Sequence, residues 1–297
     1  MPSTTEPFTL LKLSAPELDL RATLTCGQSF CWQEGADGWW RGWIGRRPAA
    51  VRPAGRDGLT VRAHGQTRAE VAEYFQLGLD LDTVVASFPA TERDTALHAA
   101  VDACRGLRIL RQDRWETLAN FICSPQKQIV QIAQINALLR RRFGTATETD
   151  GGIAHAFPEP ETLAAAGTPA LLECKLGYRA KNLAASAERL ATSALDLDAP
   201  AALPTPEARE YLKQFPGVGD KVADCVLLFA YNKWDAFPVD VWVERALREL
   251  YFRRKRKVTP KRLRDFSRTH FGPYGGYAQQ VLFHWIRMRK RLTPSDG

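Results

Sequence analysis

No run in this chain approaches the ~18 consecutive apolar residues that a helix needs to cross a bilayer. Residues 1–13 lack the basic-then-apolar pattern of a secretory leader. These absences point away from a membrane partner and towards a cytoplasmic setting. Also missing is any Cys-x-x-Cys pair among the six cysteines, Cys26, Cys31, Cys104, Cys123, Cys174 and Cys225. That excludes zinc-ribbon and thioredoxin-like readings. In a reducing compartment these cysteines are expected as free thiols filling space as small hydrophobes.

What is present is ordinary for a globular protein: 297 residues, 45% hydrophobic and 25% charged. That length allows two or three packed units with sizeable cores. The net charge of +8 suits a polyanionic partner without separating DNA from RNA or a membrane surface.

The first third is rich in short β-prone runs: Leu24-Thr25-Cys26, residues 29–33, and Trp39-Trp40-Arg41-Gly42-Trp43-Ile44. Glu34-Gly35-Ala36-Asp37-Gly38 separates two of them like a hairpin loop, and Gly55-Arg56-Asp57-Gly58 before Leu59-Thr60-Val61 repeats the signal. A small twisted antiparallel sheet is expected, then a helix capped by Thr67 running to Phe75, then one over 91–103. From about residue 105 the chain turns helical, with helices over 115–123 and from 129 to about 142. A polar loop follows over 145–152, and helical segments over 158–167 and 171–175. The fold class is therefore α+β, with an antiparallel sheet domain over 1–105 followed by an all-helical domain over 106–297.

Residues 211–246 organise the rest. A helix beginning near Thr205-Pro206-Glu207 stops at Phe215-Pro216-Gly217-Val218-Gly219, where proline cannot continue it and two glycines permit a reversal. A second helix follows to about residue 232, so the hairpin spans about 206–232. Val222, Val226 and Phe229 should face the core, while Lys221 and Cys225 share another face one turn apart. Asp240 stands where a cap for the next helix would stand. The glycine turn exposes N–H groups at a helix N-terminus, an anion site suited to phosphate. In that first turn the dipole and a dry setting should both lower the pKa of Lys221, making it a nucleophile for carbonyl-like carbons.

Phe-Pro-Gly-Val-Gly, Lys221 and Pro238-Val239-Asp240 resemble the helix-hairpin-helix (HhH-GPD) DNA glycosylases. The string Pro-Gly-Val-Gly-Asp-Lys-Val-Ala-Asp-Cys is most similar to the 8-oxoguanine DNA glycosylase branch. Gly27-Gln28-Ser29-Phe30, and Gly272-Pro273-Tyr274 through Phe283, agree with it. The resemblance covers about residues 10–289.

It implies a bifunctional glycosylase and AP lyase that flips 8-oxoguanine out of duplex DNA. Lys221 would form a Schiff base with the sugar and Asp240 would stabilise its positive charge. The base pocket would comprise Gly27, whose carbonyl accepts the N7 hydrogen, with Cys225, Gln279, Phe283, Pro238 and Trp242. Trp242 replaces a histidine that usually touches phosphate, and Cys225 would pair with Lys221 as thiolate with ammonium. Gly217, Val218 and Gly219 would bind the DNA backbone. Tyr178 would wedge into the duplex and Arg179 would contact the orphaned base. Gln126 and Gln131 stand where the family has an asparagine and an arginine, which implies a weaker preference for cytosine opposite the lesion.

The carbonyls of Lys213, Phe215 and Val218 match a monovalent cation site in relatives. No other cofactor is implied, and no cysteine follows Cys225 to hold an iron–sulfur cluster. The expected partner is double-stranded DNA carrying an oxidised guanine, bound by a monomer that is nucleoid-associated if bacterial. Two rivals remain. An alkylated-purine glycosylase of the same fold often lacks the lysine, and a non-catalytic DNA-binding hairpin protein would yield no product.

Overall fold

The computed structural model describes residues 8–149, 151–252 and 258–292. The basic run at 253–257, a candidate phosphate contact by its charge, lies outside the described residues. No helix of the described residues is long and apolar enough to cross a membrane.

Strands β1 (Thr9–Ser14), β2 (Gln33–Glu34), β3 (Trp40–Ile44), β4 (Arg47–Pro53) and β5 (Gly58–Ala63) form one antiparallel sheet in the order β1-β5-β4-β3-β2. Alternation sets its register. Val61 pairs with Leu11 on one side and Val51 on the other, and all three are buried on the inner face. Helix α2 (Arg68–Tyr74) covers that face with Val71 and Tyr74, and the Trp32 Nε1–H donates to the Tyr74 hydroxyl at 2.8 Å. Thr67 caps α2 as expected, in a capping box with Glu70.

Two local expectations fail here, and one strand carries no local signal. Leu24-Thr25-Cys26 is not a strand: α1 (Leu20–Thr25) forms because the Asp19 carboxylate accepts the Ala22 N–H at 2.8 Å while Leu20 and Leu24 bury one face. Of residues 29–33 only Gln33 pairs, with Arg41. The central strand β4 is unmarked in the sequence because Pro48, Pro53 and two alanines are poor strand formers.

Helix α3 (Leu81–Ala86) precedes α4 (Thr95–Ala103), which starts four residues later than expected because Asp94 caps it. Then come α5 (Arg114–Ile122) and α6 (Ile129–Phe143). The expected polar loop contains a hairpin, β6 (Ala146–Thr149) with β7 (Gly152–His155). Helix α7 (Pro160–Leu172) breaks at Gly167, and α8 (Arg179–Ala191), α9 (Ala199–Ala202), α10 (Thr205–Leu212) and α11 (Asp220–Tyr231) follow. The chain closes with α12 (Val241–Tyr251), α13 (Pro260–His270) and α14 (Gly275–Leu292). Helix α14 returns to pack on α4 and α12, joining the two ends of the chain.

The hairpin begins differently from its sequence signal. Thr205 does not cap α10; it is the first helical residue, and its hydroxyl donates to the Asp235 carboxylate at 2.6 Å. Helix α11 is buried continuously from Val222 to Ala230, so it runs through the core rather than along it. Phe229 stacks on Phe121 of α5 with ring centroids 5.5 Å apart.

One charge lies inside that core. Asp224 is buried and accepts from Arg209 Nε at 2.6 Å. Burial pushes its carboxyl up to about 7 against the pull of Arg209. Removing the partner strands the carboxylate, so Arg209→Ala should cost about 3–5 kcal/mol in urea unfolding at pH 8. At pH 5 the carboxyl takes up a proton instead and the loss should shrink. Equal losses at both pH values would show that the pairing does not matter.

Candidate active site

Gly217, at φ +82°, makes the turn after α10; a Cβ there would lie 2.6 Å from Asn182 Nδ2. Gly219 is extended and caps α11, so only the first glycine needs a left-handed backbone. Both are exposed, and among the described residues no protein acceptor takes their N–H groups. Lys221 is the second residue of α11 and half-buried. Its Nζ donates to Ser124 Oγ at 3.0 Å and lies 5.1 Å from the Phe121 ring centroid. The Ser124 hydroxyl in turn donates to the Phe121 carbonyl at 2.8 Å, which turns its lone pairs towards the lysine.

Asp240 caps α12, accepting the Val243 N–H at 2.8 Å. It is half-buried, and burial raises its pKa above the ordinary carboxylate range. The Val243 N–H and the Lys221 charge oppose that rise, so capping carboxylate and lysine share one electrostatic environment. Cys225 lies one turn after Lys221, whose charge pulls its thiol pKa down. Burial nonetheless pushes the thiol up to about 12. Burial thus works against the expected thiolate–ammonium pair, and the Lys221 charge works for it.

The two ends of the chain meet beside this pair. Gly27 sits at φ +90°, where a Cβ would lie 2.4 Å from Ile129 Cδ1 and 3.5 Å from Phe283 Cε1. Glycine is thus required both by conformation and by close approach. Phe30 meets Phe121 edge-on at 5.8 Å, so the loop carrying Gly27 rests on the ring that carries Lys221. On α14, Gln279 and Phe283 lie one turn apart, and Gln279 Oε1 is buried with no hydrogen-bond partner among the described residues. Arg287, one turn further, lies 5.2 Å from the Phe283 centroid and within electrostatic reach of Asp240. Pro238 is buried in the loop leading to Asp240, and Trp242, in the first turn of α12, is 41% exposed.

A second group lies on the outer face. Gln126 is exposed at φ +56°, and Tyr178 is 61% exposed. Arg179 departs from expectation. It is 5% exposed, its Nε and Nη2 donate to the Pro125 carbonyl, and its Nη1 donates to the Leu176 carbonyl at 3.2 Å. Bound in this way it braces the 124–126 turn from inside and does not reach out to a base. Gln131 is exposed, and its Oε1 accepts the Gln128 N–H at 3.0 Å in the first turn of α6.

Two family models tile this architecture. Residues 10–118 match the 8-oxoguanine DNA glycosylase N-terminal domain, and residues 119–269 match the HhH-GPD superfamily base excision DNA repair protein. The chain belongs to the 8-oxoguanine DNA glycosylase branch of the HhH-GPD superfamily. A probable N-glycosylase/DNA lyase of Methanothermobacter thermautotrophicus is 29% identical over 256 residues, 78% of this chain and 80% of that protein. The Arabidopsis thaliana N-glycosylase/DNA lyase OGG1 is 29% identical, over 92% of this chain and 78% of its own. Among solved structures, Clostridium acetobutylicum 8-oxoguanine glycosylase/lyase, in complex with double-stranded DNA containing cytosine opposite 8-oxoG, superposes with TM-score 0.86. It is 32% identical, covering 96% of this chain and 99% of that one.

Within this glycosylase, Gly27 falls in the first matched domain and Lys221, Cys225 and Asp240 in the second. Gln279 and Phe283 lie beyond both, on α14. Sequence reasoning missed Ser124, Phe121 and Arg287. Arg287 had a usable signal, since 279, 283 and 287 repeat every four residues on one helical stripe. Ser124 had none, because only the packing of α5 against α11 brings it to Lys221. A cavity of about 160 Å³ lies apart, between α3, α4 and α14, and no predicted site residue lines it.

Proposed function

We propose that this glycosylase excises 8-oxoguanine from duplex DNA and then cleaves the strand as an AP lyase. What supports the reading is Lys221 acting electrostatically on a half-buried carboxylate, together with two acceptors that take no protein donor among the described residues, the Gly27 carbonyl and Gln279 Oε1. A buried acceptor without a donor costs ~1–3 kcal/mol, so one that persists beside an aromatic ring suits a ligand that supplies the donor.

The scissile bond is hidden in the duplex, so the nucleotide is extruded. DNA phosphate binds the N–H groups of the Gly217–Gly219 turn, and Tyr178 and Gln126 fill the gap in the stack. The base stacks on Phe283, against Cys225, with Gln279 on its Watson–Crick edge. The Gly27 carbonyl accepts the N7 hydrogen that guanine lacks. The Lys221 nitrogen attacks C1′ with its lone pair as the C1′–N9 bond breaks, and the base leaves with that bond's electron pair and takes up the proton that the nitrogen sheds. Asp240 steadies the positive charge that develops on the sugar. The C1′–O4′ bond of the resulting aminal then opens, O4′ taking up a proton, and the Schiff base so formed acidifies the C2′ hydrogens, so β-elimination expels the 3′ phosphate. One nitrogen thus serves both reactions.

The backbone at the turn suits a monovalent cation. The Gln214 and Pro216 carbonyls accept from Arg189 and Ser186, and that of Phe215 accepts the Val218 N–H. The Lys213 and Val218 carbonyls take no protein donor among the described residues. Lys213, Phe215 and Val218 would hold the ion, which would stiffen the phosphate-binding turn.

Incubation with an 8-oxoguanine duplex, resolved on a denaturing gel, tests the activity. Strand cleavage at the lesion is expected, whereas binding without product would leave only a DNA-gripping module. Across the four opposite bases, excision rates should stay within about tenfold, because Gln126 and Gln131 offer only neutral hydrogen bonds and Arg179 faces inward. A cytosine preference of tens of fold would overturn that expectation.

A further inference from the structure

Selectivity for the oxidised base, as proposed above, rests on one carbonyl, and both peptide planes around it are pinned. On the upstream side the Cys26 carbonyl accepts from Gln280 Nε2 at 3.2 Å and from Arg287 Nη1 at 3.4 Å. The Cys26 carbonyl and the Gly27 N–H belong to one rigid plane, so these two α14 side chains fix the peptide that enters Gly27. On the downstream side Gln28 Nε2 donates to the Thr23 and Arg108 carbonyls, both at 2.8 Å. Gln28 Oε1 accepts the Leu110 N–H at 2.8 Å, and the Gln28 carbonyl accepts from Gln112 Nε2 at 2.9 Å. The Gly27 carbonyl between them meets no protein donor among the described residues. Gln280 is only 2% exposed, yet its amide is committed to a loop carbonyl 254 residues away in sequence.

We infer that Gln280, assisted by Arg287, is a positioning residue for base selectivity. It holds the Cys26–Gly27 peptide so that the Gly27 carbonyl stays aimed at the hydrogen an oxidised purine carries on N7. This rests on the reading of Gly27 under Proposed function. A glycine at positive φ has no Cβ to limit its rotation, so without the Gln280 donor the carbonyl loses its aim. Lys221 and Asp240 belong to α11 and the start of α12, and their chemistry does not depend on that peptide.

The test compares three duplexes: one with 8-oxoguanine, one with its 7-deaza analogue, in which carbon replaces N7 and no N–H is offered, and one with a preformed abasic site. Gln280→Met keeps side-chain length and removes both donors. Single-turnover excision of 8-oxoguanine should fall about tenfold, in line with one or two lost hydrogen bonds. The 7-deaza base should be released equally by variant and wild type, and abasic-site cleavage should be unchanged. Arg287→Ala, at the half-buried mouth, should act in the same direction by a smaller factor. A Gln280→Met rate equal to wild type on 8-oxoguanine overturns the proposal, and so does an equal loss on all three substrates. If the wild type itself releases 8-oxoguanine and the 7-deaza base alike, the fault lies in the reading of Gly27.

Discussion

Replacing Lys221 with alanine is expected to abolish base release and the borohydride-trapped protein–DNA complex together. A nucleophile shared by two reactions removes both when it is lost, and the deficit should be on the order of 10³-fold or more in single-turnover rate. Duplex binding should survive, because the hairpin contacts come from backbone N–H groups of the Gly217–Gly219 turn. The fold should survive too: Lys221 is half-buried and its one side-chain oxygen partner, Ser124 Oγ, keeps its bond to the Phe121 carbonyl. Loss of trapping with retained base release would split the activities between two residues. Retention of both would remove Lys221 from the chemistry.

Asp240→Asn should slow excision by about 10²–10⁴-fold while leaving stability almost intact. Asparagine and aspartate are nearly equal as N-caps, so the substitution keeps the bond to the Val243 N–H and removes only the charge. Alanine would remove both, and should lower stability by ~0.5–2 kcal/mol as well. The pH profile gives a second reading. Burial raises the Asp240 pKa, so its carboxylate is lost at a higher pH than that of an exposed aspartate, ~3.9. Activity that depends on the carboxylate should fall as pH drops through that raised value, and the acid limb should be absent from Asp240→Asn. A melting temperature lowered in step with activity, with the acid limb intact, would leave Asp240 as a cap alone.

The catalytic hairpin was readable because its signals are local. Proline and glycine punctuation around Pro216 and Gly217 ends one helix and turns the chain, and a four-residue spacing places Lys221 and Cys225 together. Asp240 was readable for the same reason, since a cap is defined by the residues just after it. Where tertiary packing decides, local signals misled. Residues 24–26 have β-branched and apolar character, yet Asp19 and the packing of Leu20 and Leu24 fold them into α1. Arg179, assigned to the orphaned base by resemblance alone, is bound to the Pro125 carbonyl 54 positions away, a contact no local signal reports. The burial that pushes the Cys225 thiol pKa up was out of reach as well, because it comes from packing around α11, which spacing does not report. Gly27 meets Phe283, and the neighbouring Cys26 meets Gln280, across most of the chain length, and only α14 packing back towards the first domain brings them together.

The bond between protein and sugar can be located directly. Wild-type protein incubated with an 8-oxoguanine duplex and borohydride, then digested and mapped by mass spectrometry, should carry a reduced deoxyribose remnant on the peptide that contains Lys221. A remnant on the N-terminal amine or on another lysine, or no remnant while base is still released, would contradict the assignment of Lys221 as the nucleophile.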